Sequence, residues 1–394
     1  MMRLLVIVVF SLFTIHLSAA TYYVAPANAT PAGNDAAAGD KSHPWASWEK
    51  AFTSRKPGDT IIFRGGVYPT TVTSGAGITK TVTGTADKWV VFMNYPGEVP
   101  VLDCSNITST WYGNTYGLKL SGSYYKLIGL TIRNVWQIDP ANPADETYAF
   151  RTSGDNYTLE RCTAHSTHGS GFFPSGSNVR ITNCDSYDHC DSLSTSLPGN
   201  DGYGYFHYNT GTTGSIYYKD CRAWDNGDDG WALADNSYVE IDGCWSFNNG
   251  RMEGAGNGFK IGFIPQKASV PLLRVVKNSI AAFNRASGLT TNDNNDYTIA
   301  PSQIYNNVAF HNGYYSEWNN PVYGFYLYST NGTDQEELQR ILRNNISYKN
   351  QGGAVGDGYY HDVLFTHSHN SWDISGLTVA DADFMSVDST GISG

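Results

Sequence analysis

Short apolar segments alternate with small and turn-forming residues along most of the chain, and this pattern predicts strands rather than helices. From about residue 120 each repeat has an apolar strand, then a small residue or cysteine, then Asn-Gly or Asn-x, as in residues 218–227 and 239–250. The strands are rich in β-branched and aromatic residues, and no long helical periodicity accompanies them. An all-β protein built from repeats is therefore expected.

The asparagines that close the repeats recur at intervals of 23 to 38 residues. They are Asn226, Asn249, Asn284, Asn312 and Asn350. Periods of this size with variable insertions are typical of a solenoid. Asparagine tolerates left-handed turn geometry, and a column of its side chains can hydrogen-bond from rung to rung. One Asn-Gly alone favours a hairpin turn, but five copies in register favour a right-handed parallel β-helix.

The first twenty residues have the pattern of a secretory signal peptide. Arg3 precedes an apolar run over residues 4–13, and small residues follow at 18–20. The protein is therefore expected outside the cytoplasm, in the extracellular or periplasmic space. Residues 21–394 are predicted to form one β-helix domain, with an N-terminal cap at about 21–68 that contains a strand at its start and a short helix over 45–52.

Composition narrows the classes of partner. The 41 Gly, 27 Tyr and 10 Trp with only 15% charged residues suit stacked short strands. A net charge of −11 argues against nucleic acid, because phosphate binding needs clustered Lys and Arg. It leaves an acidic polysaccharide open as a partner, since a bound cation can reverse the local sign. No later segment reaches ~18 unbroken apolar residues, so no membrane span is expected, and a monomer is expected.

Six cysteines in an exported chain are compatible with disulfides. Their spacing suggests a second interpretation. Cys162 and Cys184, like Cys221 and Cys244, are one repeat apart and follow similar strands, so they are expected at equivalent positions on neighbouring rungs. The sequence alone does not choose a pairing.

Three acids and one lysine make the candidate chemical site. Asp201, Asp228, Asp229 and Lys260 fall in one portion of the solenoid, where one to three rungs can bring them together. Carboxylates clustered in this way repel, and Ca²⁺ with six to eight oxygen ligands would relieve the repulsion. The plain alternative is that Asp-Asp-Gly is an exposed turn and that Lys260 is solvated.

The chain resembles the family 9 polysaccharide lyases of the pectate lyase type. The resemblance is most specific at residues 200–202, 225–231 and 248–262, and it begins at residues 22–25 and 57–61. It implies a secreted parallel β-helix that binds Ca²⁺ through aspartates and cleaves uronate-containing pectins by β-elimination. By motif, Asp201, Asp228 and Asp229 would be Ca²⁺ ligands, and Lys260 would be the catalytic base.

The chain departs from the family pattern in two places. Asp-Asp-Gly-Trp is usually followed by Asp, whereas this chain has Ala232, and either Asp225 or Asp235 is a candidate replacement ligand. The segment after Asp201 also lacks a lysine that often occurs in the family. The sequence ends at Gly394 within a motif that related chains extend, which suggests a truncated C-terminal end.

The expected reaction is removal of the C5 proton of a uronate, which requires a neutral lysine. Because the ordinary pKa of lysine is near ~10.4, activity is expected to rise above neutral pH. His207, Tyr205 or water could protonate the leaving group, although an aromatic core position is the stronger expectation for Tyr205. The alternatives are a rhamnogalacturonan lyase of the same fold, a β-helical glycoside hydrolase that uses Asp228 and Asp229, and a noncatalytic polysaccharide-binding solenoid.

Overall fold

The computed structural model describes residues 19–139, 141, 146–208, 213–262, 264, 270, 272–291, 300–313, 322–327, 340–351, 359–361 and 365–384. These residues form three sheets of twelve, ten and ten strands, and the strands within each sheet pair in parallel. The predicted parallel β-solenoid is confirmed. Nearly all of the predicted signal peptide, and the chain after residue 384, lie outside the described residues. Within the described ranges, no helix is long and apolar enough to span a membrane.

Each sheet takes its strands from successive turns of the chain. Sheet 1 contains β1 (Thr21–Val24), β2 (Thr60–Phe63), β5 (Val90–Asn94), β8 (Tyr125–Ile128), β11 (Tyr157–Glu160), β14 (Val179–Thr182), β17 (Ser215–Lys219), β20 (Tyr238–Asp242), β23 (Arg274–Lys277), β26 (Ser302–Tyr305), β29 (Arg340–Arg343) and β32 (Phe365–Ser368). Sheet 2 contains β4 (Ile78–Thr83), β7 (Asn114–Ser123), β10 (Glu146–Ser153), β13 (Ser170–Ser175), β16 (Tyr205–Tyr208), β19 (Trp231–Ala234), β22 (Phe259–Lys260), β25 (Leu289–Thr290), β28 (Phe325–Leu327) and β31 (Tyr359–His361). Sheet 3 contains β3 (Gly66–Pro69), β6 (Pro100–Asp103), β9 (Thr131–Arg133), β12 (Thr163–His165), β15 (Asp185–Tyr187), β18 (Arg222–Trp224), β21 (Trp245–Phe247), β24 (Ile280–Ala282), β27 (Val308–Phe310) and β30 (Ile346–Tyr348).

A full turn of the chain passes through sheet 1, then sheet 3, then sheet 2. Residues one turn apart therefore lie on neighbouring strands, about 4.8 Å from each other. The solenoid begins earlier than the repeat signal at about residue 120, because β1 and β2 already belong to sheet 1. The early rungs lack the closing asparagines that made the later repeats visible in the sequence.

An aromatic stack fills the interior behind the middle of sheet 2. Phe150 lies on Phe172, Phe172 on Tyr205, Tyr205 on Trp231 and Trp231 on Phe259, with ring centroids 4.5 to 5.1 Å apart. All five side chains are buried. Because the stacked rings favour this register of the strands, they also set the positions of the outward-facing side chains on the same strands.

The predicted asparagine column is present in the interior. Each Nδ2 donates to the Oδ1 of the next asparagine at 2.9 Å, through Asn226, Asn249, Asn284, Asn312 and Asn350. The ladder residues themselves do not have the left-handed conformation. The residue before each of them does, with φ between 52° and 56°: Asp225, Asn248, Phe283, His311 and Lys349.

The cysteines form a second interior column. Cys162 N–H donates to Cys184 Sγ, and Cys221 N–H donates to Cys244 Sγ, at 3.3 and 3.4 Å. The expectation of equivalent positions on neighbouring rungs is confirmed. All six cysteines are free thiols, so these positions serve packing rather than cross-linking.

A short helix lies at the N-terminal end of the solenoid. Helix α1 (Trp48–Thr53) is shorter than the predicted 45–52 segment at its start, because Ser47 caps it by accepting from Lys50 N–H at 3.1 Å. Phe52 stacks on Phe92 with ring centroids 4.2 Å apart. The helix thus covers apolar surface at the first rungs, as expected for a solenoid cap.

Candidate active site

The candidate site lies on the outward face of sheet 2, at three consecutive strands. In β16, β19 and β22, Tyr205 pairs with Trp231 and Trp231 pairs with Phe259. Asp201 precedes the first of these strands, Asp228 and Asp229 precede the second, and Lys260 ends the third. The predicted placement on consecutive rungs is confirmed.

Glycines at the start of these strands let the turns pack closely. A Cβ on Gly230 would lie 2.0 Å from Ser246 Oγ, and one on Gly258 would lie 2.4 Å from the carbonyl oxygen of Gly288. Neither position has room for a side chain. Glycine at these positions therefore allows the neighbouring turns to pack closely at the start of β19 and β22.

Asp228 is buried and bound by backbone donors of the following turn. Its Oδ1 accepts from the N–H groups of Ala255 at 2.7 Å and Gly256 at 3.2 Å, and its carboxyl also hydrogen-bonds Tyr203. Burial, and then the neighbouring Asp229, raise the pKa of Asp228 well above its usual range. The site thus holds a carboxyl whose ionisation is opposed by its surroundings.

Asp229 is the ion-pair partner of Lys260. Its Oδ1 accepts from the backbone N–H of Asn257 at 2.7 Å and from Asn257 Nδ2 at 2.9 Å. Its Oδ2 lies 3.2 Å from Lys260 Nζ, and its side chain is fully buried. Asn257 therefore orients the carboxylate that holds the lysine.

Lys260 places its amine among all three predicted acids. Burial acts to lower the pKa of Lys260, but the charges of Asp229, Asp228 and Asp201 outweigh it and hold the pKa above the ordinary lysine value. The side chain is 15% exposed, so it is accessible from outside. The resting lysine is an ammonium, and a base role requires it to lose that proton.

A cleft of about 280 Å³ opens beside Lys260. Asp201, Glu146 and Tyr203 line it together with Lys260. Asp201 is exposed as a residue and lies in the wall of this cleft. Burial of the carboxyl, then Asp191 and Glu146, raise the pKa of Asp201 to about 6, and Lys260 opposes the rise.

Three residues of this region were not found from the sequence. Tyr203, Glu146 and Asp191 line the cleft or the small cavity adjoining it. Asp191 is buried, and its Oδ1 accepts from the N–H of Asp201 at 3.0 Å. Of these, only Tyr203 could have been found from the sequence, because it lies two residues after Asp201. Glu146 and Asp191 belong to no recurring motif.

The proposed replacements for the acid missing at position 232 do not reach the site. Ala232 lines the cleft and pairs in register with Lys260. Asp235 is buried inside the solenoid, 3.5 Å from His207 Nδ1 and 3.7 Å from Arg274. Asp225 is exposed and interacts with Arg251 instead.

Neither side chain suggested as the leaving-group acid faces the cleft. Tyr205 is fully buried and donates to the carbonyl oxygen of Cys184 at 2.7 Å. His207 is also fully buried, with its Nε2 2.6 Å from the hydroxyl of Tyr218. Both alternate toward the interior in β16. For Tyr205 this confirms the expected core position, whereas the direction of His207 was not predicted because the phase of the strand was unknown.

The donor types at the site, carboxylate oxygens, are those that a hard cation binds. Carboxylates supply the oxygen donors that Ca²⁺ prefers. Burial first, and then neighbouring carboxyls, raise the pKa values of Asp201 and Asp228, and a cation would relieve the part due to the neighbours. Asp191 Oδ2 is buried and has no hydrogen-bond partner in the described part of the chain. In those same ranges, no group of three Asp, Glu, His or Cys side chains is placed to hold a metal ion. The ligand and base roles assigned from the sequence remain predictions.

The chain belongs to the Pel9A-like family of right-handed β-helix proteins. The family model, described as "Pel9A-like, right handed beta helix region", matches residues 22–326. This confirms the family and the right-handed fold predicted from the sequence.

Particular relatives agree with this assignment. Pectate lyase L of Dickeya chrysanthemi is 27% identical over 384 residues, which cover 94% of this chain and 78% of the relative. Pectate lyase L of Thermoclostridium stercorarium is 29% identical over 359 residues, 83% of this chain, and the match spans only 26% of that longer relative. The polysaccharide-lyase class predicted from the sequence is thus the class of these relatives.

Two solved structures share the fold. Pectate lyase Pel9A superposes with a TM-score of 0.68 at 22% identity, covering 95% of this chain and 85% of Pel9A. A rhamnogalacturonan lyase has the same TM-score at 24% identity, covering 94% of this chain and 91% of its own. At these identities the likeness establishes the architecture alone.

Proposed function

We propose that the protein is a secreted lyase that cleaves polygalacturonate, an acidic pectic polysaccharide, by β-elimination with Lys260 as the base. The observation that carries the proposal is the position of Lys260 in an open cleft among three carboxylates. The names of the relatives support pectate as the substrate. The twenty-residue N-terminal pattern supports secretion.

The proposed elimination needs only Lys260, the substrate and water to move its protons. The neutral amine of Lys260 takes the C5 proton of a uronate, and the electron pair of that C–H bond forms the C4=C5 double bond. The C4–O bond breaks, and the leaving oxygen takes a proton from water. The product is a chain with a 4,5-unsaturated end and a second chain with a new hydroxyl, which ultraviolet absorbance of the unsaturated end detects.

Asp229 and Asn257 orient the base in this scheme. Asn257 holds Asp229 by two hydrogen bonds, and Asp229 holds the amine of Lys260. This keeps the amine at one place in the cleft before substrate arrives, and such pre-positioning lowers the entropic part of the barrier.

We further propose that Asp201, Asp228 and Asp229 hold Ca²⁺, as the family resemblance implies. When bound, the cation would neutralise the carboxylates and draw charge from the substrate carboxylate, which makes the C5 proton more acidic. Two observations support this assignment. Asp201 and Lys260 line the same cleft, and the pKa values of Asp201 and Asp228 are raised.

Removal of Ca²⁺ is expected to lower both activity and stability. A chelator should reduce the initial rate on polygalacturonate at least tenfold, and millimolar Ca²⁺ should raise the Tm of the chelated protein by several degrees, because it binds only the folded state. Asp201→Asn should weaken the dependence of Tm on Ca²⁺. Asp225→Asn, which changes an exposed acid outside the cleft, is the matched control and should keep the full response. Full activity in chelator together with a Ca²⁺-independent Tm would refute the metal assignment.

A further inference from the structure

Outside the cleft, the outward face of sheet 2 continues as a track of cationic and aromatic side chains. Strand pairing places Arg151 beside Lys119 on one side and beside Phe173 on the other, and places Ala232 between Phe206 and Lys260. Phe206 follows Phe173, with ring centroids 5.2 Å apart. Lys119 and Lys260 thus lie in one column, five strands apart, which is about 24 Å at the usual strand spacing.

Aromatic rings connect the cleft to the far end of this track without a gap. The rings that touch in order are Tyr203, Phe206, Phe173, Tyr148, Tyr116, Trp111 and Tyr112, with successive centroids 4.5 to 6.1 Å apart. The first two line the cleft beside Lys260. Tyr116, Tyr148 and Phe173 are only 7%, 3% and 9% exposed, so these rings form a packed support between the cleft and the far end of the track, and the exposed aromatic surface lies at the far end.

The far end of the track is exposed. Trp111 and Asn114 exchange backbone hydrogen bonds of 2.8 and 3.0 Å, which form a tight hairpin around Tyr112. Tyr112 is 86% exposed, and its φ of 50° is a conformation that bulky residues rarely adopt. Trp111 is 36% exposed. An exposed aromatic pair on a strained turn contributes little to folding, and such features occur where a ligand binds.

The track is also positively charged in an acidic protein. Lys119 Nζ lies 4.2 Å from the ring centroid of Trp111 and 4.5 Å from that of Tyr116, and Arg151 lies 3.9 Å over Phe173. Arg151 also donates to the carbonyl oxygens of Thr152 and Phe173 and to Ser175 Oγ, so its guanidinium is held in place, whereas Lys119 contacts aromatic rings. The net charge of the chain is −11. Lys119 and Arg151 therefore place positive charge beside the acidic cleft, and this charge attracts an anionic chain to this part of the face.

We propose that Trp111, Tyr112 and Lys119 form a distal binding site for the acidic polysaccharide, about five rungs from Lys260. The aromatic rings pack against the apolar faces of sugar rings, and Lys119 binds a uronate carboxylate. The choice of ligand rests on the proposed function, since a polymer lying along sheet 2 reaches both places. Short oligosaccharides in the cleft do not reach the distal site.

Binding by a variant that does not turn over substrate tests the site directly. In a Lys260→Ala background, Trp111→Ala combined with Tyr112→Gly should weaken binding of polygalacturonate at least tenfold, measured by titration calorimetry. Binding of a trigalacturonate should change less than twofold. Trp245→Ala is the matched control, because Trp245 is 45% exposed but lies on sheet 3, and it should leave both affinities unchanged.

A second variant tests the contribution of the positive charge of Lys119. Lys119→Gln should weaken polygalacturonate binding several-fold, and the loss should shrink as salt is raised because screening removes the charge term. Unchanged polymer binding in the double variant, or an equal loss for trigalacturonate, would overturn the proposal. A change of oligomeric state in sedimentation of that variant would also overturn it, because the aromatic pair would then be a protein interface.

The outcomes separate this site from the proposed reaction. If polymer binding depends on Trp111 and Tyr112 but the wild type forms no unsaturated product, the distal site stands and the lyase proposal fails. If unsaturated product forms while replacement of Trp111 and Tyr112 leaves polymer binding unchanged, the lyase proposal stands and the distal site fails.

Discussion

Replacing Lys260 with alanine is expected to reduce the rate of unsaturated-product formation about 10³-fold, within the range typical for loss of a general base. The amine is held 3.2 Å from Asp229 Oδ2 in the cleft, and no other lysine lines that cleft among the described residues. The loss should appear in kcat rather than in KM, because the amine acts in the proton-transfer step and contributes little to binding of the polymer. Initial rates from ultraviolet absorbance measure it.

The pH dependence gives this prediction a second readout. Because the pKa of Lys260 is held above its ordinary value, the neutral fraction, and with it the rate, should rise about tenfold per pH unit from neutral pH into the alkaline range. Lys277→Ala is the control: Lys277 is also ion-paired, 2.7 Å from Glu240, but it belongs to sheet 1. Full activity of Lys260→Ala, or an acidic optimum in the wild type, would exclude Lys260 as the base.

Replacing Asn284 with alanine is expected to lower the free energy of unfolding by about 3 kcal/mol, because it leaves buried polar groups without partners. Its Nδ2 donates to the Ser246 carbonyl at 3.0 Å and to Asn312 Oδ1 at 2.9 Å, while its Oδ1 accepts from Asn249 Nδ2 at 2.9 Å. All of these groups are buried. Each buried polar group left without a partner costs about 1–3 kcal/mol, and rearrangement of the neighbouring asparagines recovers part of the loss.

Denaturant unfolding measures this change, and hydrogen exchange locates it. Protection should fall most at β21, β24 and β27, because the interactions of a solenoid are mainly between neighbouring rungs. Asn28→Ala is the matched control at an exposed asparagine and should change stability by less than 0.5 kcal/mol. A loss below about 1 kcal/mol for Asn284→Ala would show that the ladder contributes little.

Much of the fold could be predicted because the same environment recurs on many rungs. Five asparagines at solenoid spacing predicted one column, and the structure contains it with each side chain bonded to the next. The equivalence of Cys162 with Cys184 was predicted for the same reason. The first rungs have no repeated turn residue to mark them, so the sequence predicted a cap at about 21–68 where β1 and β2 already pair as strands of sheet 1.

The site was predictable where its residues sit in short motifs on adjacent rungs. Asp201, Asp228, Asp229 and Lys260 were found in this way. Residues supplied from other turns or from long loops, such as Glu146 and Asp191, have no such signal, since their nearness depends on the path of the chain. His207 failed as a leaving-group acid because its direction depends on the phase of β16, and Asp235 failed as a ligand because it lies inside the solenoid.

Product analysis tests the proposed lyase activity: the purified wild-type protein is incubated with polygalacturonate and with a rhamnogalacturonan, with and without Ca²⁺. We predict 4,5-unsaturated ends from polygalacturonate, detected by ultraviolet absorbance and by a mass lower than that of the hydrolysis product by one water. New reducing ends without the double bond would instead identify a hydrolase, and tight binding with no cleavage of either polymer would contradict the proposed lyase activity.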